Sequence, residues 1–153
     1  MTAAVTLSRT ELRDLVLRFT EAFNRDDLDA VMAYFADDAI YGTFDGVDAW
    51  GKPAIRAAFE PQFRGDFGRI RFHEEDLFVD ESTGKAVIRW VCRHDFEGPR
   101  AAGLVGMKQL FYRTVYGRSF GWQGLDVLHF SGRLIVEKRT YARAKLPLAR
   151  RGL

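Results

Sequence analysis

Carboxylates seldom enter a protein interior unless they are paired, hydrogen-bonded or chemically engaged, so Asp126 stands out in the apolar run Gly124-Leu125-Asp126-Val127-Leu128. On a strand it shares a face with Trp122, Gly124, Leu128 and Phe130. A carboxyl group in such surroundings would serve as a general base or as a protonated donor. It could equally be a structural acceptor for a Tyr, Trp or Arg of the same core. Residues 85–96 hold a second polar cluster of Arg89, Arg93, His94 and Asp95. Alternation sets Trp90, Cys92 and His94 on one face and Arg89, Arg93 and Asp95 on the other. If Trp90 points inward, so does His94, which then becomes the expected partner of Asp126; a bulge would exchange the two faces.

Other chemistries have less to draw on. His73, His94 and His129 show neither HxxxH nor HxH spacing, so no metal site is expected, nor any other cofactor. There is no GxSxG elbow, no Walker loop and no GxGxxG after a strand. Cys92, the only cysteine, reads as a buried structural thiol, and with no intrachain disulfide possible a reducing, cytoplasmic compartment is expected. Rings with a polar tip, namely Tyr41, Trp50, Tyr112, Tyr116 and Trp122, are the better candidates for the walls of a ligand pocket, whereas most of the 13 Phe belong to the core.

The elements that must position these groups change character midway. Leu12, Leu15, Val16, Phe19 and Phe23 recur at helical spacing behind a Ser8/Glu11 capping box. A second short helix follows with Leu28, Val31, Met32 and Phe35 as its apolar face, capped by Asp26 or Asp27. Residues 39–44 read as a strand, Asp45-Gly46 and Gly51 as a loop, and a helix starting at Pro53 presents Ile55, Phe59 and Phe63. From Arg69 onward, residues 69–79, 85–96, 120–130 and 133–143 are rich in β-formers, with hairpin turns at Ser82-Thr83-Gly84 and Ser131-Gly132. Residues 98–117 fit either a helix or a strand; a short helix is expected there, forming a lid or one wall of a cavity. Three helices followed by a meander of long strands predict an α+β fold, with the helices packed on one face of a curved antiparallel sheet.

At 153 residues and 17.5 kDa, with 47% hydrophobic and 29% charged residues, the chain suits one domain, with an ordered core at 8–143 and a basic tail at 144–153. Its net charge of +2 hides an asymmetry: residues 1–81 carry 9 basic and 17 acidic side chains, and residues 82–153 carry 14 and 4. One domain leaves no room for a separate basic module. The imbalance therefore reads as acidic helices and basic strands, with strand arginines facing solvent or a dimer partner, and no nucleic-acid partner is expected. No basic stretch followed by an apolar run opens the chain, and no run nears the roughly 18 apolar residues of a span, so a membrane is not expected as a partner either.

The run from Ala22 to Ala39 (AFNRDDLDAVMAYFADDA), the stretch Gly51-Lys52-Pro53-Ala54-Ile55-Arg56 and the closing hairpin from Gly124 to Glu137 resemble the SnoaL-like branch of the nuclear transport factor 2-like superfamily. The likeness covers nearly the whole chain except residues 98–117. It implies a cystatin-like roll, a cone of three helices wrapped by a strongly curved sheet, with a pocket between them and a homodimer through the outer sheet face. Members include ketosteroid isomerases, polyketide cyclases, limonene epoxide hydrolases, scytalone dehydratase and proteins that only bind. The oxyanion-hole aspartate of the isomerases falls on Asp126, but their tyrosine falls on Phe19 and their base on Thr43, so that activity is not implied. The general-base aspartate of the polyketide cyclases also falls on Asp126, with His94 near their supporting polar residue. The epoxide hydrolase set is matched by Arg93 and Asp95 and broken at Thr140. The resemblance implies a small, largely apolar, carbonyl-bearing ligand and cofactor-free proton transfer at carbon. Asp126 would be the acid or base, helped by His94 and Tyr41, in a pocket of Phe19, Trp50, Trp90, Tyr112, Tyr116 and Trp122. The rival expectation is a non-catalytic binding or interaction module in which Asp126 is structural.

Overall fold

The computed structural model describes residues 6–143; the expected basic tail at 144–153 lies outside them. Helix α1 (Arg9–Asn24) begins where the sequence places its capping box: the Ser8 hydroxyl accepts from the Glu11 amide while the Glu11 carboxylate accepts from the Ser8 amide. Its buried stripe is Leu12, Leu15, Val16, Phe19, Ala22 and Phe23. Helix α2 (Leu28–Ala33) is capped by Asp27, whose carboxylate accepts from the Ala30 amide at 2.9 Å. Phe35, expected on the last turn of this helix, instead opens strand β1 (Phe35–Gly42), where it is fully buried. The chain leaves the helix because the Tyr34 carbonyl accepts from the Ile135 amide at 2.7 Å, committing the next residues to the sheet.

The expected loop after β1 contains a short strand, β2 (Asp48–Trp50), which pairs antiparallel with β1. Helix α3 (Lys52–Phe63) follows, with Pro53 in its first turn and Ile55 and Phe59 buried. The four long strands form as the change of period predicts: β3 (Arg69–Asp80), β4 (Lys85–Asp95), β5 (Ser119–Ser131) and β6 (Leu134–Ala142). Between β4 and β5, residues Gly103–Tyr116 form a 14-residue helix, α4.

The six strands make one sheet in the order β2-β1-β6-β5-β4-β3. All pairs are antiparallel except β1 with β6, which run parallel. Register shifts in β1/β6, β3/β4 and β5/β6 mark bulges, which bend strands and increase twist. The curved sheet closes over α1, α2 and α3, and the core between them is anchored by Leu12, Val16, Val31, Phe35, Ile55 and Leu128, each at 0% exposure. The fold is the α+β roll that the sequence predicts.

Candidate functional site

Strand β4 resolves the question of faces. Ala86, Ile88, Trp90, Cys92 and His94 are buried, and Arg89, Arg93 and Asp95 are exposed. Its partner β5 turns Asp126 to the same concave side, since Asp126 pairs with Ile88 and Gly124 with Trp90. Trp90, Cys92, His94 and Asp126 line a cavity of about 310 Å³ between the sheet and helices α1 and α3. Phe19, Phe23, Phe59, Trp90, Phe120 and Trp122 supply its aromatic walls. Phe44, more than half exposed, and Asp45 carry the lining out to the surface, so the cavity opens on the β1–β2 side.

Asp126 is 8% exposed and forms the polar pole of this cavity with two side chains of β6. Lys138 Nζ donates to Asp126 Oδ1 at 2.7 Å and to Thr140 Oγ1 at 2.5 Å, and Thr140 Oγ1 donates to the same Oδ1 at 2.7 Å. The ammonium also sits 4.8 Å from the centre of the Tyr41 ring, a cation–π contact. Lys138 is 4% exposed, so both charges of the pair are withdrawn from water and each depends on the other. Both bonds to Asp126 end on Oδ1. The only fully buried side-chain polar atom without a partner among the described residues is Trp90 Nε1, so the unpaired Oδ2 is reachable from the cavity. Burial raises the Tyr41 hydroxyl above its ordinary range, which keeps its proton available for donation.

Lys138 and Thr140 face inward because of one residue. Ser131 pairs with Leu134 and Phe130 with Ile135, but His129 pairs with Glu137, so Val136 is extra in the hairpin. Without this bulge Asp126 would face Arg139; with it, Asp126 faces Thr140 and Leu128 faces Lys138. Sequence reading missed Lys138 for this reason. The one available signal was that Lys138 and Thr140 alternate at period two across from Asp126.

His94 lines the same cavity but is not the partner of Asp126 that alternation suggests. It lies opposite Phe120, six residues along β5 from Asp126, which puts ~20 Å of strand backbone between the two positions. Its Nδ1 lies 2.9 Å from the Phe67 carbonyl oxygen, which can only accept, so Nδ1 carries the proton and Nε2 presents a lone pair near Cys92 Sγ at 3.6 Å. The ring stacks on Phe120 at 4.7 Å. Burial lowers its pKa to about 4, so it is a neutral acceptor at physiological pH. Cys92 is buried and its thiol is pushed up by the same desolvation, consistent with a structural thiol.

Of the expected pocket residues, Phe19, Tyr41, Trp90, Tyr112 and Trp122 line the cavity. Trp50 does not: it is 66% exposed at the edge of the sheet. Nor does Tyr116, which is buried behind the wall in a cluster with Phe96 and Phe120. Arg93 and Asp95 point away from the cavity, so the partial match to an epoxide hydrolase set is not assembled inside it.

Residues 16–138 match the model of the SnoaL-like domain. No curated protein matches the sequence. Among solved structures, a candidate polyketide cyclase from Xanthomonas campestris pv. campestris superposes with a TM-score of 0.64 at 21% identity, covering 91% of this chain and 93% of that one. A protein with a cystatin-like fold from Methylobium petroleophilum PM1 gives 0.63 at 18% identity, covering 92% and 80%. SalBIII, an epoxide hydrolase/cyclase-like enzyme with a role in pyran ring formation in the polyether salinomycin, gives 0.65 at 13% identity, covering 88% and 92%. At these identities the structural likeness establishes a shared fold.

Proposed function

This chain belongs to the SnoaL-like family, its model spanning residues 16–138, and from that premise we propose that the protein binds a small, largely apolar, carbonyl-bearing molecule in its cavity and moves a proton at the carbon beside the carbonyl. The observation that carries this reading is the asymmetric hold on Asp126. Oδ1 is fastened by Lys138 and Thr140, while Oδ2 is left open toward the aromatic cavity. A carboxylate fixed on one oxygen and free on the other is oriented as a general base. Proton abstraction leaves an enolate, which needs a donor at its oxygen. Tyr41, in the same lining and with its proton retained, is suited to that role. Lys138 would act as a positioning residue, holding the Asp126 charge in place. His94, at the far end, can only accept, which suits a hydroxyl on the ligand.

The clamp on Oδ1 also favours a second reading, in which Asp126 and Lys138 are a buried structural pair in a protein that only binds. Titrating wild type and Asp126→Asn against a panel of apolar ketones and β-keto esters, with binding and turnover read separately, distinguishes the two. The catalytic reading expects Asn to keep binding and to lose turnover by about 10²–10⁴-fold. Equal turnover of every ligand by Asn and Asp would remove Asp126 as acid or base.

A further inference from the structure

Helix α4 is packed on one side only. Gly106 and Tyr116 are buried and Tyr112 reaches the cavity, whereas Leu104 (74%), Met107 (65%) and Phe111 (61%) are exposed along the opposite stripe. Leu104, Met107 and Phe111 stand at i, i+3 and i+7, the spacing of a single helical face. Three large apolar side chains on one outward stripe need an occupant.

The charge beside the helix says which kind. From Gly98 to Leu125 the sequence has no acidic residue, while Arg100, Arg113 and Arg118 are exposed; Lys108, in the same stretch, is paired with Asp66 at 2.7 Å. A crevice of about 450 Å³ runs alongside α4, lined by Arg69, Arg100 and Arg113 together with Leu110. None of these three arginines has an ion-pair partner among the described residues; Asp95, also in the lining, is bonded to the Glu97 amide. A second copy of the chain docking through this face would set two such arginine clusters against each other. An anionic surface would not.

We propose that α4 is a docking helix for an anionic phospholipid surface, with Leu104, Met107 and Phe111 entering the acyl boundary and Arg69, Arg100 and Arg113 receiving headgroup phosphates. An apolar stripe on one side of a helix with arginine on the other, where Arg113 lies roughly 160° round from Phe111, is the composition of an interfacial helix. No helix here is long and apolar enough to cross a membrane; α4, at 14 residues, would lie on the surface. The docking itself stands without the proposed chemistry at Asp126, and its test reads no turnover.

The test is co-sedimentation of the full chain with phosphatidylcholine vesicles containing or lacking phosphatidylglycerol, at low and high salt. Wild type is expected to pellet with the anionic vesicles at low salt and to be released by high salt. Leu104→Ser/Phe111→Ser should weaken binding at least tenfold, and Arg100→Gln/Arg113→Gln on the order of fivefold per arginine. Phe78→Ser, which removes an equally exposed ring at the far end of β3, should change nothing. Basic residues beyond 143 are retained in every variant, so they cannot produce these differences. All substituted side chains are exposed; should the serine pair still unfold by circular dichroism, the glutamine pair alone decides. Failure of wild type to pellet with either vesicle overturns the proposal. So does binding that loses nothing in the serine pair, or that soluble glycerol phosphate abolishes as fully as salt does, since either means anion binding without a surface. A concentration-dependent dimer that disappears in the serine pair would instead assign the face to a second copy.

Discussion

Buried ion pairs are costly to assemble and more costly to halve, and the Asp126–Lys138 pair is halved by any single substitution. Lys138→Met leaves a carboxylate alone in an apolar cavity and is expected to cost about 3–5 kcal/mol in urea unfolding. The double variant Asp126→Asn/Lys138→Met should be more stable than Lys138→Met alone, because the stranded charge is gone. Strict additivity of the two single effects would mean the pair is not coupled. His94 adds a pH dependence. Its pKa falls from 6.5 in the unfolded reference to about 4 in the fold, so between those values the unfolded chain binds more protons. Stability is therefore complete above pH 6.5 and declines as pH falls to about 4, by on the order of 3 kcal/mol. Unfolding free energies at pH 7 and pH 4.5 should show most of that drop in wild type and little of it in His94→Gln. Asp66, held at about 2 chiefly by its hydrogen bond from Arg64, acts in the same direction but only below 3.8. Asp126 was legible in the sequence because a carboxylate in an apolar strand is anomalous by itself. Lys138 was not, because a lysine in a strand is ordinary until the register is known.

At the scale of elements, the site depends on how strands are offset. The bulge at Val136 selects which side chains of β6 reach the cavity, and Gly124 leaves room for the benzo edge of the Trp90 indole. A methyl group at Gly124 would lie 2.6 Å from the Tyr141 carbonyl oxygen and would overlap the benzo edge of Trp90. Gly124→Ala is thus expected to cost about 1–3 kcal/mol and to weaken ligand binding by displacing a cavity wall. An Ala variant with wild-type stability and ligand affinity would show that the indole moves freely. Helix α1 and the four long strands were readable from capping and period. Strand β2 was not, because three residues carry too little pattern, and the end of α2 was misjudged because Phe35 continues the helical spacing while its neighbour's carbonyl is claimed by β6. The α4 segment was ambiguous because its outward face is as apolar as its inward one.

For the whole molecule, the charge asymmetry of the sequence acquires a location. The acidic half builds α1, α2, β1 and β3, and the basic half includes α4 and two of the three arginines of its crevice, Arg100 and Arg113. The fold was legible because helices and strands are segregated along the chain, which leaves few ways to bury both apolar faces. The cavity was less so, since its volume depends on how aromatic rings from seven elements meet. The proposed chemistry is most directly tested by deuterium. Enolisable ketones that bind the protein are incubated in D₂O, and incorporation at the carbon beside the carbonyl is followed by proton NMR. Wild type should accelerate exchange over buffer, and Asp126→Asn, binding the same ketone, should lose that acceleration. Exchange at the same rate with Asn at position 126 would contradict the assignment of Asp126 as the base.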